Sequence, residues 1–164
     1  MGTDQPGTGE SRPAAPGHSP VHVLIVDDDP GDALMVYESF AQAGDDRRFH
    51  LVPDGQRALR FLRRDGDYAD APRPGLVLLD LNMPGLHGLE VLARIKADPV
   101  LKLIPVIVLS SSQDLADITA SYARHANAYI VKPLDLDGYT TVIRQVDAFF
   151  LGLAQPAPAP GPGR

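Results

Sequence analysis

The chain contains no cysteine. That absence excludes disulfides, thiolate metal sites and thiol nucleophiles together, and it suits a reducing compartment. Positive charge is also scarce: 15 Lys and Arg stand against 21 Asp and Glu, a formal net charge of −6. Such a balance offers no basic footprint for DNA or RNA, so direct nucleic-acid binding is not expected. No apolar run is long enough to span a membrane, and the first residues lack the charged-then-apolar build of a secretion signal. A soluble, cytoplasmic protein is expected.

Apolar residues make up 44% of the 164, enough for one full hydrophobic core. Residues 1–20 are rich in Gly, Pro and Ser and cannot offset their ordering entropy, which predicts a disordered tail. Residues 154–164, a Pro/Ala/Gly run, are predicted to form a flexible tail. One domain, residues 21–153, lies between them.

Within that domain, residues 21–26, 49–52, 76–79, 106–109 and 128–131 are short apolar runs that read as buried strands. Helical spacing fills the intervals. Residues 30–44 follow an Asp29 cap with Pro30 at the first helical position, and a second helix follows an Asp54 cap. Residues 86–97, 113–124 and 136–151 supply three more, while 63–75 read as a loop. Five strands alternating with five helices argue for an α/β fold, a doubly wound parallel sheet covered on both faces. Among the topologies that right-handed crossovers allow, the flavodoxin-like order 2-1-3-4-5 is expected, although alternation alone does not select it. In such sheets, sites lie beyond the carboxyl ends of the strands.

The polar residues stand at those ends. Strand one runs into Asp27, Asp28 and Asp29, strand three into Asp80, strand four into Ser110, Ser111 and Ser112, and strand five into Lys132. Clustered carboxylates repel one another, and a bound cation relieves the repulsion. All-oxygen donors favour a hard ion, and a few carboxylates with a backbone carbonyl and water suit Mg²⁺. Lys132 and Ser110 then offer positive charge and a hydrogen-bond donor to an anion beside the metal.

Four motifs carry a family resemblance: Val26-Asp27-Asp28, Leu79 to Gly85 (LDLNMPG), Pro105 to Ser110 (PVIVLS) and Tyr129 to Pro133 (YIVKP). In this order, each at a predicted strand end, they resemble the receiver domain of two-component response regulators over residues 21–150. The resemblance implies that Asp80 accepts a phosphoryl group. It implies that Asp27, Asp28, Asp80 and the backbone carbonyl of Asn82 hold Mg²⁺, and that Ser110 and Lys132 bond the phosphoryl oxygens. Ser110 and Tyr129 become the switch pair, reporting to the face of helix four, strand five and helix five. Asn82 and Ser112 line the route of the water that hydrolyses the phospho-aspartate. The long connection at 63–75 and the Asp98-Pro-Val-Leu-Lys102 approach to strand four are similar to phytochrome-associated single-domain regulators. A histidine kinase, of the bacteriophytochrome type, is the implied partner.

Plainer readings stand beside these. Asp29 reads as a helix cap alone, Ser110 by itself as a backbone cap, and Lys132 by itself as a solvated lysine. Tyr129 by itself is a half-buried strand aromatic. The five histidines show no metal-ligand spacing, and Arg57, Arg60, Arg63 and Arg64 read as a solvated helix face that leaves open an acidic contact. An aspartyl-nucleophile phosphatase is the competing enzyme class, but such enzymes place a general acid two residues on, where this chain has Asn82. Turnover beyond self-phosphorylation and autodephosphorylation is therefore not expected. A phosphorelay intermediate, a phosphate sink for the kinase and an inert docking module are competing roles for the same motifs. Phe149, Phe150, Leu151 and Leu153 make the last helix more apolar than a monomer needs, and with helix four they predict a homodimer.

Overall fold

The computed structural model describes residues 19–44 and 46–158; most of both expected tails, residues 1–18 and 159–164, lies outside them. Along the chain run β1 (Val21–Val26), α1 (Pro30–Ala41), β2 (Arg47–Val52), α2 (Gly55–Arg63), β3 (Leu76–Leu79), α3 (Gly88–Ala97), β4 (Val106–Ser110), α4 (Leu115–Ala123), β5 (Ala128–Val131) and α5 (Leu136–Val146). All strand pairs are parallel and the order is β2-β1-β3-β4-β5, the flavodoxin-like arrangement expected.

Alternation along each strand sends neighbours to opposite faces, so the sheet builds two cores. Leu24, Val26, Val77 and Leu79 pack with Leu59 and Leu62 of α2 and Val91 and Ile95 of α3. Val23, Ile25, Leu76 and Leu78 pack on the other side with Val36 and Phe40 of α1 and Tyr139 and Ile143 of α5. Each fully buried Leu, Ile or Phe contributes ~1.5–3 kcal/mol, so the central strands are fixed firmly and their C-terminal residues inherit that rigidity.

Both predicted caps form. Asp29 Oδ1 accepts from the amides of Gly31 and Asp32 at 2.8 and 3.1 Å, and Asp54 Oδ1 accepts from Arg57 N at 2.8 Å. Boundaries shift where local chemistry outweighs the apolar pattern. Strand β2 starts at Arg47 rather than Phe49, because pairing with Val21 and His22 extends it through two arginines. Helix α1 ends at Ala41, short of Gly44. Helix α3 starts at Gly88 rather than Leu86, capped by His87 Nδ1, which accepts from Leu89 N at 3.2 Å. Helix α4 starts at Leu115 rather than Gln113, because Asp114 caps it through Ala116 N. Residues 63–75 are not purely loop, since Gly66–Tyr68 forms a 3-10 turn. The last helix changes to π-type hydrogen bonding over Asp147–Leu153, held to the start of β2 by a 2.8 Å ion pair between Asp147 and Arg47.

One close approach matters for the site. A Cβ on Gly88 would collide with the Asp80 carbonyl oxygen and lie 2.5 Å from Leu81 Cα. Only glycine lets α3 begin directly beneath the loop that follows Asp80. Gly88→Ala is therefore expected to destabilise the fold by ~2–3 kcal/mol, the range for overpacking against a backbone that cannot yield. Urea unfolding measures this; an unchanged midpoint would show that the loop moves freely.

Candidate functional site

The parallel sheet brings four strand ends to one edge. Asp27 follows β1, Asp80 follows β3, Ser110 ends β4 and Lys132 follows β5. Asp80 is fixed by its own amide, which donates to the Val26 carbonyl at 3.0 Å, and Asp27 by its amide on Val52 at 3.2 Å. Lys132 N donates to the Ser110 carbonyl at 2.9 Å, so the lysine continues the ladder past the end of β5.

Lys132 Nζ lies 2.8 Å from Asp27 Oδ2, 2.8 Å from Asp32 Oδ2 and 3.3 Å from Asp80 Oδ2. The lysine side chain is 8% exposed, and those of Asp27 and Asp80 are 5% and 7% exposed. At such burial each charge is costly unless matched. Burial raises both the Asp80 and Asp27 carboxyls above the ordinary range, and the Lys132 ammonium opposes that in each case. For Lys132, burial disfavours its charge, but hydrogen bonds to Asp27 and Asp32 and the charges of Asp27 and Asp80 outweigh this. Its ammonium is held above the ordinary lysine range.

Asp28 is exposed beside this cage, and carboxylate oxygens of Asp27, Asp28 and Asp80 all lie within 4.8 Å of one another. Three oxygen donors, two of them buried, fit a hard divalent ion. Asn82 is exposed in the loop after Asp80. Ser110 is buried, and its Oγ accepts from Ser112 N at 3.2 Å. The Ser112 hydroxyl donates to Asp117 Oδ2 at 2.6 Å, which ties it to the first turn of α4. Tyr129 is half-buried against the α2–α3 side of the core, and its hydroxyl donates to the Ser112 carbonyl at 2.7 Å.

Asp32 joins the site without any signal in the sequence. Five residues after Asp27 and one turn into α1, it passes for an ordinary first-turn acid; only the fold puts it on Lys132. Nearby, Tyr139 of α5 is fully buried, its phenol pushed up to about 12 by burial and by the Asp32 charge. His87 is not incidental, as its lack of metal-ligand spacing suggests, because it caps α3.

Residues 23–144 match the family model of the response regulator receiver domain. The chain belongs to that family. The receiver is 39% identical to response regulator Rcp1 of Synechocystis sp. over 132 residues, covering 80% of this chain and 90% of the relative. It is 34% identical to the probable methanogenesis regulatory protein FilR2 of Methanothrix harundinacea over 144 residues, covering 87% and 90%. Among solved structures it resembles the phosphorylated cyanobacterial phytochrome response regulator RcpA, with TM-score 0.81 and 40% identity over 84% of this chain and 98% of that one. It also resembles the Mn²⁺-bound form of Rcp1, with TM-score 0.80 and 37% identity over 85% and 100%. No helix among the described residues is long and apolar enough to cross a membrane.

The cage sets an expectation for stability. Lys132→Ala strands three carboxylates, and it is expected to cost ~3 kcal/mol at pH 7 in metal-free buffer. Buried Asp27 and Asp80, already raised by burial, then lose the lysine that opposes the rise, so the folded state takes up protons first as pH falls. The cost should shrink as pH drops toward ~4, the unfolded carboxylate range. Urea unfolding of wild type and variant from acid to neutral pH checks this; a cost independent of pH would contradict it.

Proposed function

We propose that this receiver accepts a phosphoryl group on Asp80 from a histidine kinase, with Mg²⁺ held by Asp27, Asp28, Asp80 and the Asn82 carbonyl. The observation that carries the reading is Lys132, set among Asp27, Asp32 and Asp80 with a carboxylate triad alongside. An Asp80 carboxylate oxygen forms the new bond to phosphorus. The P–N bond of the donor phosphohistidine breaks, and its electron pair returns to the imidazole. Mg²⁺ at this site supplies neutralising charge for the carboxylates and the incoming phosphoryl oxygens. Lys132 turns from its carboxylates to a phosphoryl oxygen, and the Ser110 hydroxyl donates to another. Asn82 and Ser112 flank the approach of the water that later hydrolyses the acyl phosphate.

The switch rests on hydrogen bonds already in place. If the Ser110 hydroxyl turns to the phosphoryl group it gives up the Ser112 amide, whose neighbouring carbonyl holds Tyr129. A change at Asp80 is thereby transmitted to α4 and β5, and biases a two-state face. That face is apolar: Leu115 and Tyr122 of α4, Val131, Leu134, and Phe149 and Leu153 of the terminal turns are all exposed. A second copy of the chain is its occupant. Red-light phytochrome kinases are the input class, because RcpA is a phytochrome response regulator and a 34%-identical structure comes from red light signalling in R. palustris.

Acetyl-phosphate labelling followed by intact mass tests the acceptor. Wild type should gain one phosphoryl group only with Mg²⁺, and Asp80→Asn should gain none. Labelling that survives Asp80→Asn moves the acceptor elsewhere, and no labelling in either protein leaves a docking module. For the face, light scattering should show a dimer that Leu115→Glu with Phe149→Glu converts to a monomer; a wild type that stays monomeric with beryllofluoride would exclude it.

A further inference from the structure

The end of the sheet opposite Asp80 carries an arginine cluster that the phosphorylation chemistry leaves unused. Arg60, Arg63, Arg64 and Arg73 gather there, Arg57 lies at the other end of α2, and two of these five arginines are already occupied. Arg57 pairs with Asp54 at 2.9 Å, while Arg60 lies 3.9 Å from Asp67 and over the Tyr68 ring. Arg63, Arg64 and Arg73 have no side-chain ion pair or hydrogen bond among the described residues. These three line one open recess of about 250 Å³, together with Leu62, Val100 and Leu101 and with Asp98 as its acid.

The Asp98 charge is already engaged. Its Oδ1 accepts from Val100 N at 2.8 Å and Leu101 N at 3.0 Å. Those amides, with Arg63 and Arg73 nearby, hold its carboxyl below the ordinary range. Three arginines and one carboxylate line the recess, which leaves two positive charges in excess. The dipole of α2 accounts for Arg63 in its last turn, but Arg64 lies at the left-handed cap and Arg73 ten residues beyond the helix. Arg73 is also under-bonded, since its Nη1 is sealed from solvent without an acceptor. Arg73 is half-buried, so an acceptor that reaches its guanidinium gains more than at a fully hydrated arginine.

We propose that this recess binds a small phosphate monoester, independently of the Asp80 site. A dianionic head balances the excess charge, and three phosphoryl oxygens can meet three guanidinium forks, whereas a carboxylate offers two oxygens and one charge. The Leu62–Val100–Leu101 wall takes a compact organic body.

Phenyl phosphate, titrated into the full chain in Mg²⁺-free buffer by calorimetry, tests this, with benzoate as the same body bearing a carboxylate. Phenyl phosphate should saturate one site, and Arg73→Gln should weaken it about tenfold, the scale of one charge-assisted hydrogen bond. The exposed pair Arg63→Gln/Arg64→Gln should do the same without risk to the fold. Asp80→Asn and Arg57→Gln should leave the affinity unchanged. Absence of saturation, equal binding of benzoate, equal weakening by Arg57→Gln, or loss in Asp80→Asn would each overturn the proposal.

Discussion

A single ammonium holds the functional end of this receiver together. Lys132 Nζ touches carboxylates from the end of β1, the first turn of α1 and the end of β3, while its own backbone extends β5. β5 lies two strands away from β3, so only a long side chain can reach across the end of β4. One positive charge cannot balance three carboxylates plus Asp28, and burial further raises the proton affinity of Asp27 and Asp80. The site is therefore built with a deficit of positive charge, which a divalent ion satisfies without disturbing the core.

Rigidity comes from below. Strands β3 and β4 and the second half of β1 are buried on both faces, and Gly88 lets α3 press directly under the Asp80 loop. Softness comes from the side, where single hydrogen bonds link Ser110 to Ser112 and Ser112 to Tyr129. In the proposed switch the charge change at Asp80 acts on these weak links rather than on the packed strands. Tyr139 gives a second connection, since Asp32 bears on both Lys132 and this buried residue of α5.

Much of this is legible in the sequence, for physical reasons. Strands β3 and β5 can be bounded to the residue because apolar runs ending in Asp80 and Lys132 mark the core's edge sharply. Asp29 and Asp54 are recognisable as caps because a capping side chain acts within three residues. Strand β2 extends two residues beyond its apolar run because an edge strand tolerates Arg47 and Arg48, which look like loop. Asp32 and Gly88 stay hidden because their roles depend on what the fold brings near them: a lysine 100 residues away and the backbone of another loop. The change of helix type beyond Val146 leaves no composition signal at all. Strand order is legible only through family resemblance, since alternation of strands and helices is compatible with several windings.

The proposed acceptor chemistry turns on Lys132 passing from its carboxylates to the phosphoryl group on Asp80. Nitrogen-15 NMR of the Lys132 ammonium, together with carbon-13 NMR of the Asp32 carboxyl, follows this directly on adding Mg²⁺ and beryllofluoride. Both resonances should move together as Lys132 leaves Asp32, and neither should move in Asp80→Asn. Beryllofluoride bound at Asp80 with both resonances unchanged would contradict the transfer.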